Sequence, residues 1–199
     1  MTRCLVTDRR RLCPGADSAA AALACLVEQA RRATAAGVDL IQIRERDLEA
    51  AALAALVSEI VAVTRGSTTR VVVNDRIDVA LASGADGVHL RGDSVAVEAA
   101  RRLLAAPLLV GRSVHNVDEA RAASGADYLI AGTVFSSPSK PDAAELLGLD
   151  GLRAIVRATA VPVLAIGGIT SDRIADVLAT GAAGIAAIGL FIDSLKSAS

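Results

Sequence analysis

The chain has 199 residues, with 21 Lys and Arg against 22 Asp and Glu and a formal charge of −1. That balance excludes the basic excess of a nucleic-acid binder, and an aromatic content of 2% leaves little for base stacking. Much of the 53% hydrophobic content is alanine, and the longest uncharged run, between Asp176 and Asp193, falls short of a membrane span of about 18–20 residues. The first residues lack the apolar core of a signal peptide, so a cytoplasmic protein without a membrane partner is expected. Cys4, Cys13 and Cys25 fit no zinc spacing and read as thiols in a reducing compartment.

Two textures alternate along the chain. Short runs rich in Val, Ile and Leu predict strands at Cys4–Thr7, Leu40–Ile43, Arg70–Val73, Gly87–Leu90, Leu108–Ser113, Tyr128–Ala131, Pro162–Ile166 and Gly184–Ile188. Between them, stretches rich in Ala, Leu and Arg predict helices at Ser18–Ala36, Leu48–Thr64, Val95–Ala105, Asn116–Ser124, Leu149–Ala158 and Ser171–Thr180. Asp17/Ser18, Asp93/Ser94 and Thr170/Ser171 are the candidate N-caps. A Gly-x-Asp pattern recurs at Gly37-Val-Asp39, Gly84-Ala-Asp86 and Gly125-Ala-Asp127, and as Gly181-Ala-Ala183. It precedes every second strand, and each glycine suits a left-handed helix cap. This self-similarity predicts a single α/β domain over residues 1–199, a closed (β/α)8 TIM barrel with its active site at the carboxyl ends of the strands. An open doubly wound sheet would place a Gly-rich turn after the first strand, where this chain reads Thr7-Asp-Arg-Arg.

The segments after each strand therefore carry the chemistry. Gln42, Arg44 and Arg46 share one face by period-two alternation, and guanidinium forks suit phosphate. Asn74-Asp75 follows the third strand, and Asp93 follows the fourth. Each aspartate reads either as a helix cap or as one of two carboxylates for Mg²⁺ held with a diphosphate. The fifth strand ends in Ser113-Val-His115, where His115 reads as structural or catalytic. Ser137, Ser139 and Lys140 lie on a long loop after the sixth strand, suited to close over phosphate. Gly167-Gly168 and Gly189 follow the seventh and eighth strands, the usual barrel phosphate site. Two anion sites imply two phosphorylated small-molecule substrates, or one long one.

Taken jointly, Gln42-Ile-Arg-Glu-Arg46, Val73-Asn-Asp75, Gly84-Ala-Asp-Gly-Val-His-Leu90, Gly111-Arg-Ser-Val-His115, Gly132-Thr-Val-Phe-Ser-Ser-Pro-Ser-Lys140 and Ala165-Ile-Gly-Gly-Ile-Thr170 resemble the thiamine phosphate synthase family and its relative, thiazole tautomerase. The resemblance runs from Cys4 to about Phe191. It implies a transferase of thiamine biosynthesis that couples hydroxymethylpyrimidine diphosphate to hydroxyethylthiazole phosphate by dissociative substitution, releasing diphosphate. By this resemblance Gln42, Arg44, Asn74 and Ser113 hold the pyrimidine diphosphate, and Arg46 stands where the synthase usually has Lys. Asp75 and Asp93 ligate Mg²⁺, although Ser94 occupies the expected second metal position. Ser137, Ser139 and Lys140 match the phosphate loop. Gly168 contacts the thiazole phosphate, and Gly189 replaces a Ser. Arg44, Arg46 and Lys140 would neutralise the leaving diphosphate. The tautomerase branch usually carries a catalytic His where this chain has Thr133, and it tends to lack Asp75; both favour the synthase. A thiazole phosphate-binding regulator without catalysis is the third reading. Self-association is left open by the sequence.

Overall fold

A computed structural model describes residues 1–104, 108–136 and 146–196. Eight parallel strands close in chain order: β1 Thr2–Val6, β2 Leu40–Ile43, β3 Arg70–Asn74, β4 Gly87–Leu90, β5 Leu109–Val114, β6 Tyr128–Ala131, β7 Val163–Ile166 and β8 Gly184–Ala187. Each is buried on both faces, as runs without polar alternation require. Outward residues such as Leu5, Ile41, Val73 and Leu129 pack under the helices. Inward residues Cys4, Val6, Leu40, Val72, Tyr128, Ile130, Leu164 and Ala186 fill the barrel.

The helices are α1 Arg9–Leu12, α2 Ala19–Ala35, α3 Ala50–Thr64, α4 Ile77–Ser83, α5 Val97–Leu103, α6 Val117–Ala122, α7 Gly148–Ala158, α8 Ile174–Leu178 and α9 Gly189–Lys196, with a 3₁₀ turn at Ser171–Arg173 before α8. Ser18 caps α2 by accepting the Ala21 N–H at 3.1 Å. The other expected caps are corrected. Helix α5 starts at Ala96, beyond Asp93/Ser94, and Thr170 makes no side-chain cap bond. The α4 cap position is Arg76, so Asp75 is not a cap either.

The repeated aspartates have a structural role at the amino ends of the strands. Oδ2 of Asp39 accepts the N–H of Arg3, that of Asp86 accepts Val71 N–H, and that of Asp127 accepts Val110 N–H, each at 2.7 Å. Three carboxylates thus pin β1 to β2, β3 to β4 and β5 to β6. The fourth repeat has Ala183, and there only the backbone bond from Ala183 N to Val163 O, 2.8 Å, joins β7 to β8 at this end. Gly37, Gly84 and Gly181 take positive φ as expected; Gly125 does not.

The cysteines depart from the thiol expectation. Cys13 and Cys25 form a disulfide that ties the end of α1 to α2, while Cys4 is free and buried inside the barrel. Among the described residues, no helix is long and apolar enough to cross a membrane.

Candidate active site

At the carboxyl ends of β2, β3 and β4 lies a cleft of about 180 Å³ lined by residues that include Arg46, Asn74, Asp75, Arg76 and Arg91. Its floor is polar. Gln42 and Asn74 are both buried, and Gln42 Nε2 donates to Asn74 Oδ1 at 3.0 Å. Two amides facing into an otherwise apolar barrel satisfy one another and leave further donors and acceptors facing the mouth.

Arg44 and Arg46 follow directly. The acids beside them in sequence do not neutralise them. Arg9 on α1 reaches across to bind Glu45 at 2.7 Å and Asp47 at 2.6 Å, and Arg10 also takes Asp47. The Arg9 guanidinium holds the Asp47 carboxyl down at about 2. Among the described residues, neither Arg44 nor Arg46 has a carboxylate at ion-pair distance. Burial, then the charge of Arg46, lowers the pKa of Arg44 from its ordinary value. Two crowded, unneutralised guanidiniums at a cleft mouth favour an anion.

Asp75 is the sole non-glycine residue among those described with positive φ, at 64°. Its N–H is held by the His89 carbonyl at 2.9 Å. Strained backbone of this kind persists where surroundings enforce it, and it concentrates at functional sites. The carboxylate accepts a hydrogen bond from the Ser94 hydroxyl and faces Arg91 at 3.5 Å. Arg91 also pairs with Asp93, whose side chain is 69% exposed. Asp75 and Asp93 therefore meet at the same guanidinium, with Ser94 the nearer neighbour of Asp75. Arg112 fixes this loop by donating to the carbonyls of Val95 at 2.6 Å and Gly92 at 2.8 Å.

Ser113 sits on the inner face of β5, and its hydroxyl lies 2.8 Å from His89 Nε2. His115 is placed otherwise. Its ring lies 3.0 Å from Glu119, whose carboxylate also accepts the His115 N–H, while Asn116 caps α6 by accepting the Glu119 N–H at 2.9 Å. His115 thus helps to hold the start of α6 through Glu119.

After β6, Val134 N and Phe135 N donate to the carbonyls of Ile166 and Gly167 at 2.9 and 3.0 Å. The approach is close enough that a Cβ on Gly168 would lie 2.3 Å from Ser136 O, and Gly168 itself adopts φ +60°. Gly189 opens α9 at the barrel mouth. Ser137, Ser139 and Lys140 lie outside the described residues.

Sequence reasoning missed Arg9, Arg91 and Arg112, which act across loops. It also missed the inward run of His89 and Tyr128, which period-two counting from Gly87 and Ile130 would have found.

No group of three or more His, Cys, Asp or Glu is placed to hold a metal among the described residues. A single carboxylate beside a hydroxyl and an amide nonetheless fits Mg²⁺ taken up with a diphosphate, because that ion uses one or two carboxylates and completes its shell with substrate oxygens and water.

A parallel eight-stranded barrel with these groups gathered at the carboxyl ends of its strands is a TIM-barrel enzyme. The model of the thiamine monophosphate synthase family matches residues 12–191, and the chain belongs to that family. It is 49% identical over 167 residues to a thiamine-phosphate synthase of Methanoregula boonei, covering 83% of this chain and 77% of that one. It is 40% identical over 190 residues to a thiamine-phosphate synthase of Roseiflexus castenholzii, covering 94% and 79%. Among solved structures it resembles thiamine phosphate pyrophosphorylase from Pyrococcus furiosus, with TM-score 0.79 and 37% identity over 94% of this chain and 85% of that one.

Proposed function

We propose that this chain joins hydroxymethylpyrimidine diphosphate to hydroxyethylthiazole phosphate, giving thiamine phosphate and diphosphate. The observation that carries the reading is that Arg46 lines the same cleft as Asp75 and that neither it nor Arg44 is held in an ion pair among the described residues, because Arg9 and Arg10 have taken Glu45 and Asp47. A diphosphate leaving group needs such a field; a proton shift on a thiazole does not.

The carbon–oxygen bond to diphosphate breaks first, and the electron pair leaves with the diphosphate. The thiazole nitrogen then attacks the pyrimidine methylene. Arg44 and Arg46 neutralise the charge that grows on the departing oxygens, more in the transition state than in the ground state. Lys140 is assigned the same task by family resemblance. Gln42, Asn74 and Ser113 orient the pyrimidine, and the glycine turns at Gly168 and Gly189 receive the thiazole phosphate, with Ser137 and Ser139 assigned to phosphate binding by family resemblance. Asp75 would hold Mg²⁺, with Asp93 joining through movement of Arg91. The ion supplies charge neutralisation on the diphosphate. Thr133 in place of a histidine leaves the tautomerase without a general base. We place the reaction in the cytoplasm, on soluble phosphorylated substrates.

The test is incubation of purified protein with both phosphorylated rings and Mg²⁺. Thiamine phosphate is the expected product, and Lys140→Ala should largely abolish it while leaving thiazole phosphate binding within a few-fold. Isomerisation of a thiazole carboxylate phosphate without coupling would reject the reading. Tight thiazole phosphate binding with neither reaction would leave the regulator.

A further inference from the structure

A buried polar chain runs from the middle of the barrel to the site. Tyr128 projects inward from β6 and is 7% exposed. Gly111 on the neighbouring strand β5 makes room for it, since a Cβ there would lie 2.2 Å from Tyr128 Cζ. The Tyr128 hydroxyl lies 3.2 Å from His89 Nδ1, and His89 Nε2 lies 2.8 Å from Ser113 Oγ. His89 is 1% exposed, and its two ring nitrogens face hydroxyls rather than a carboxylate, so the buried ring is neutral. A neutral imidazole has one donor and one acceptor, so the chain can run in one of two directions.

Counting hydrogen-bond groups picks the direction. Among the described residues the Tyr128 hydroxyl has the His89 ring as its hydrogen-bond partner. If Nδ1 carried the proton, the tyrosine would accept it and its own buried O–H would have no acceptor. An unsatisfied buried donor costs about 1–3 kcal/mol. If instead Tyr128 donates to Nδ1, the proton sits on Nε2 and is given to Ser113 Oγ. Every buried group is then satisfied, and the serine has its own proton to offer outward.

We infer that Tyr128 and His89 are positioning residues that fix the imidazole as the Nε2–H tautomer and thereby free the Ser113 O–H to donate toward a ligand acceptor, such as a ring nitrogen. The ligand part rests on the proposed reading of Ser113 as a pyrimidine contact. The tautomer part rests on the barrel geometry alone.

The chain contains two histidines, which makes the measurement clean. Long-range ¹H–¹⁵N correlation spectra of the labelled native protein at neutral pH should show His89 with its proton on Nε2 and a bare Nδ1, with His115 as the internal comparison. A proton on Nδ1, or on both nitrogens, overturns the inference. Tyr128→Phe keeps the ring that fills the space beside Gly111 and removes the fixed donor. The expected results are a mixture of tautomers at His89 and a fall in kcat/KM of about tenfold, the scale of one neutral hydrogen bond. In a Ser113→Ala background the same change should cost almost nothing. An undiminished cost there would make Tyr128 merely structural and overturn the link to the serine. If the protein makes no thiamine phosphate but shows the Nε2–H tautomer, the polarity of the chain stands and the synthase reading falls.

Discussion

Replacing Arg9 with alanine tests how the site keeps its charge. Its guanidinium reaches Glu45 at 2.7 Å and Asp47 at 2.6 Å, and the Glu45 side chain is 3% exposed against 13% for Arg9. Removing one partner of a buried pair costs about 3–5 kcal/mol. The Arg9 backbone N–H, 3.2 Å from Glu45 Oε1, survives the substitution, and Asp47 is 43% exposed. The lower end, about 3 kcal/mol, is therefore expected. With an unfolding entropy of roughly 0.4 kcal/mol/K for a chain of this size, the melting temperature should fall by about 7 °C. A second effect follows at the cleft. Glu45 and Asp47, released, are free to turn to Arg44 and Arg46 and compete with the diphosphate. Such solvent-facing competition is worth up to about 1 kcal/mol, or roughly five-fold in KM for the pyrimidine diphosphate. Scanning calorimetry and steady-state kinetics on Arg9→Ala measure both effects. An unchanged melting temperature with unchanged KM would refute the view that Arg9 keeps the two arginines free.

Three further outcomes are expected. Arg46→Ala should lower kcat/KM about 10²-fold, the scale of losing a donor to developing charge, and a near-native value would return Arg46 to an ordinary surface residue. Stability should fall on acidification below pH 6.5, because His89 takes up a proton near 6.5 when unfolded but not until about 3 when folded. The slope is at most about 1.4 kcal/mol per pH unit, and urea titrations between pH 7 and 5 should lose it in His89→Gln. Reducing the Cys13–Cys25 bond, which spans 12 residues, should cost about 3 kcal/mol by loop-closure entropy, read as a lower denaturation midpoint in the presence of a dithiol.

The barrel was legible because its strands are buried on both faces, and their apolar runs at Leu40–Ile43, Gly87–Leu90 and Tyr128–Ala131 coincide with the observed strands. Helix α4 was not predicted because its short, mostly apolar run Ile77-Asp-Val-Ala-Leu-Ala-Ser83 does not distinguish a helix from a buried strand by periodicity. Asp93/Ser94 looked like a cap from residue type alone. The loop instead spends those side chains on Arg91 and Asp75, a choice made by tertiary contacts. The inward Gln42 followed from strand alternation, whereas Asn74 and Ser113 followed from their places at the ends of β3 and β5 and from the family resemblance. The role of Arg9 did not, because it depends on an interaction across 36 positions in sequence. Cys13 and Cys25 read as separate thiols until the turn between α1 and α2 brought them together.

The missing carboxylate of the fourth repeat bears on where the barrel opens. β1–β2, β3–β4 and β5–β6 are each cross-latched at the amino end by an aspartate, whereas β7–β8 carries Ala183 in that place. Of the four seams at which the repeat recurs, three are latched and one is plain, and the plain one is expected to open before those three. Its far end bears Gly168 and Gly189, so the compliant seam lies directly beneath the turns assigned to the thiazole phosphate. Amide exchange in β7 and β8 would then report ligand occupancy more sensitively than exchange in the three latched pairs, and Ala183→Asp would stiffen that response without touching a residue of the cleft.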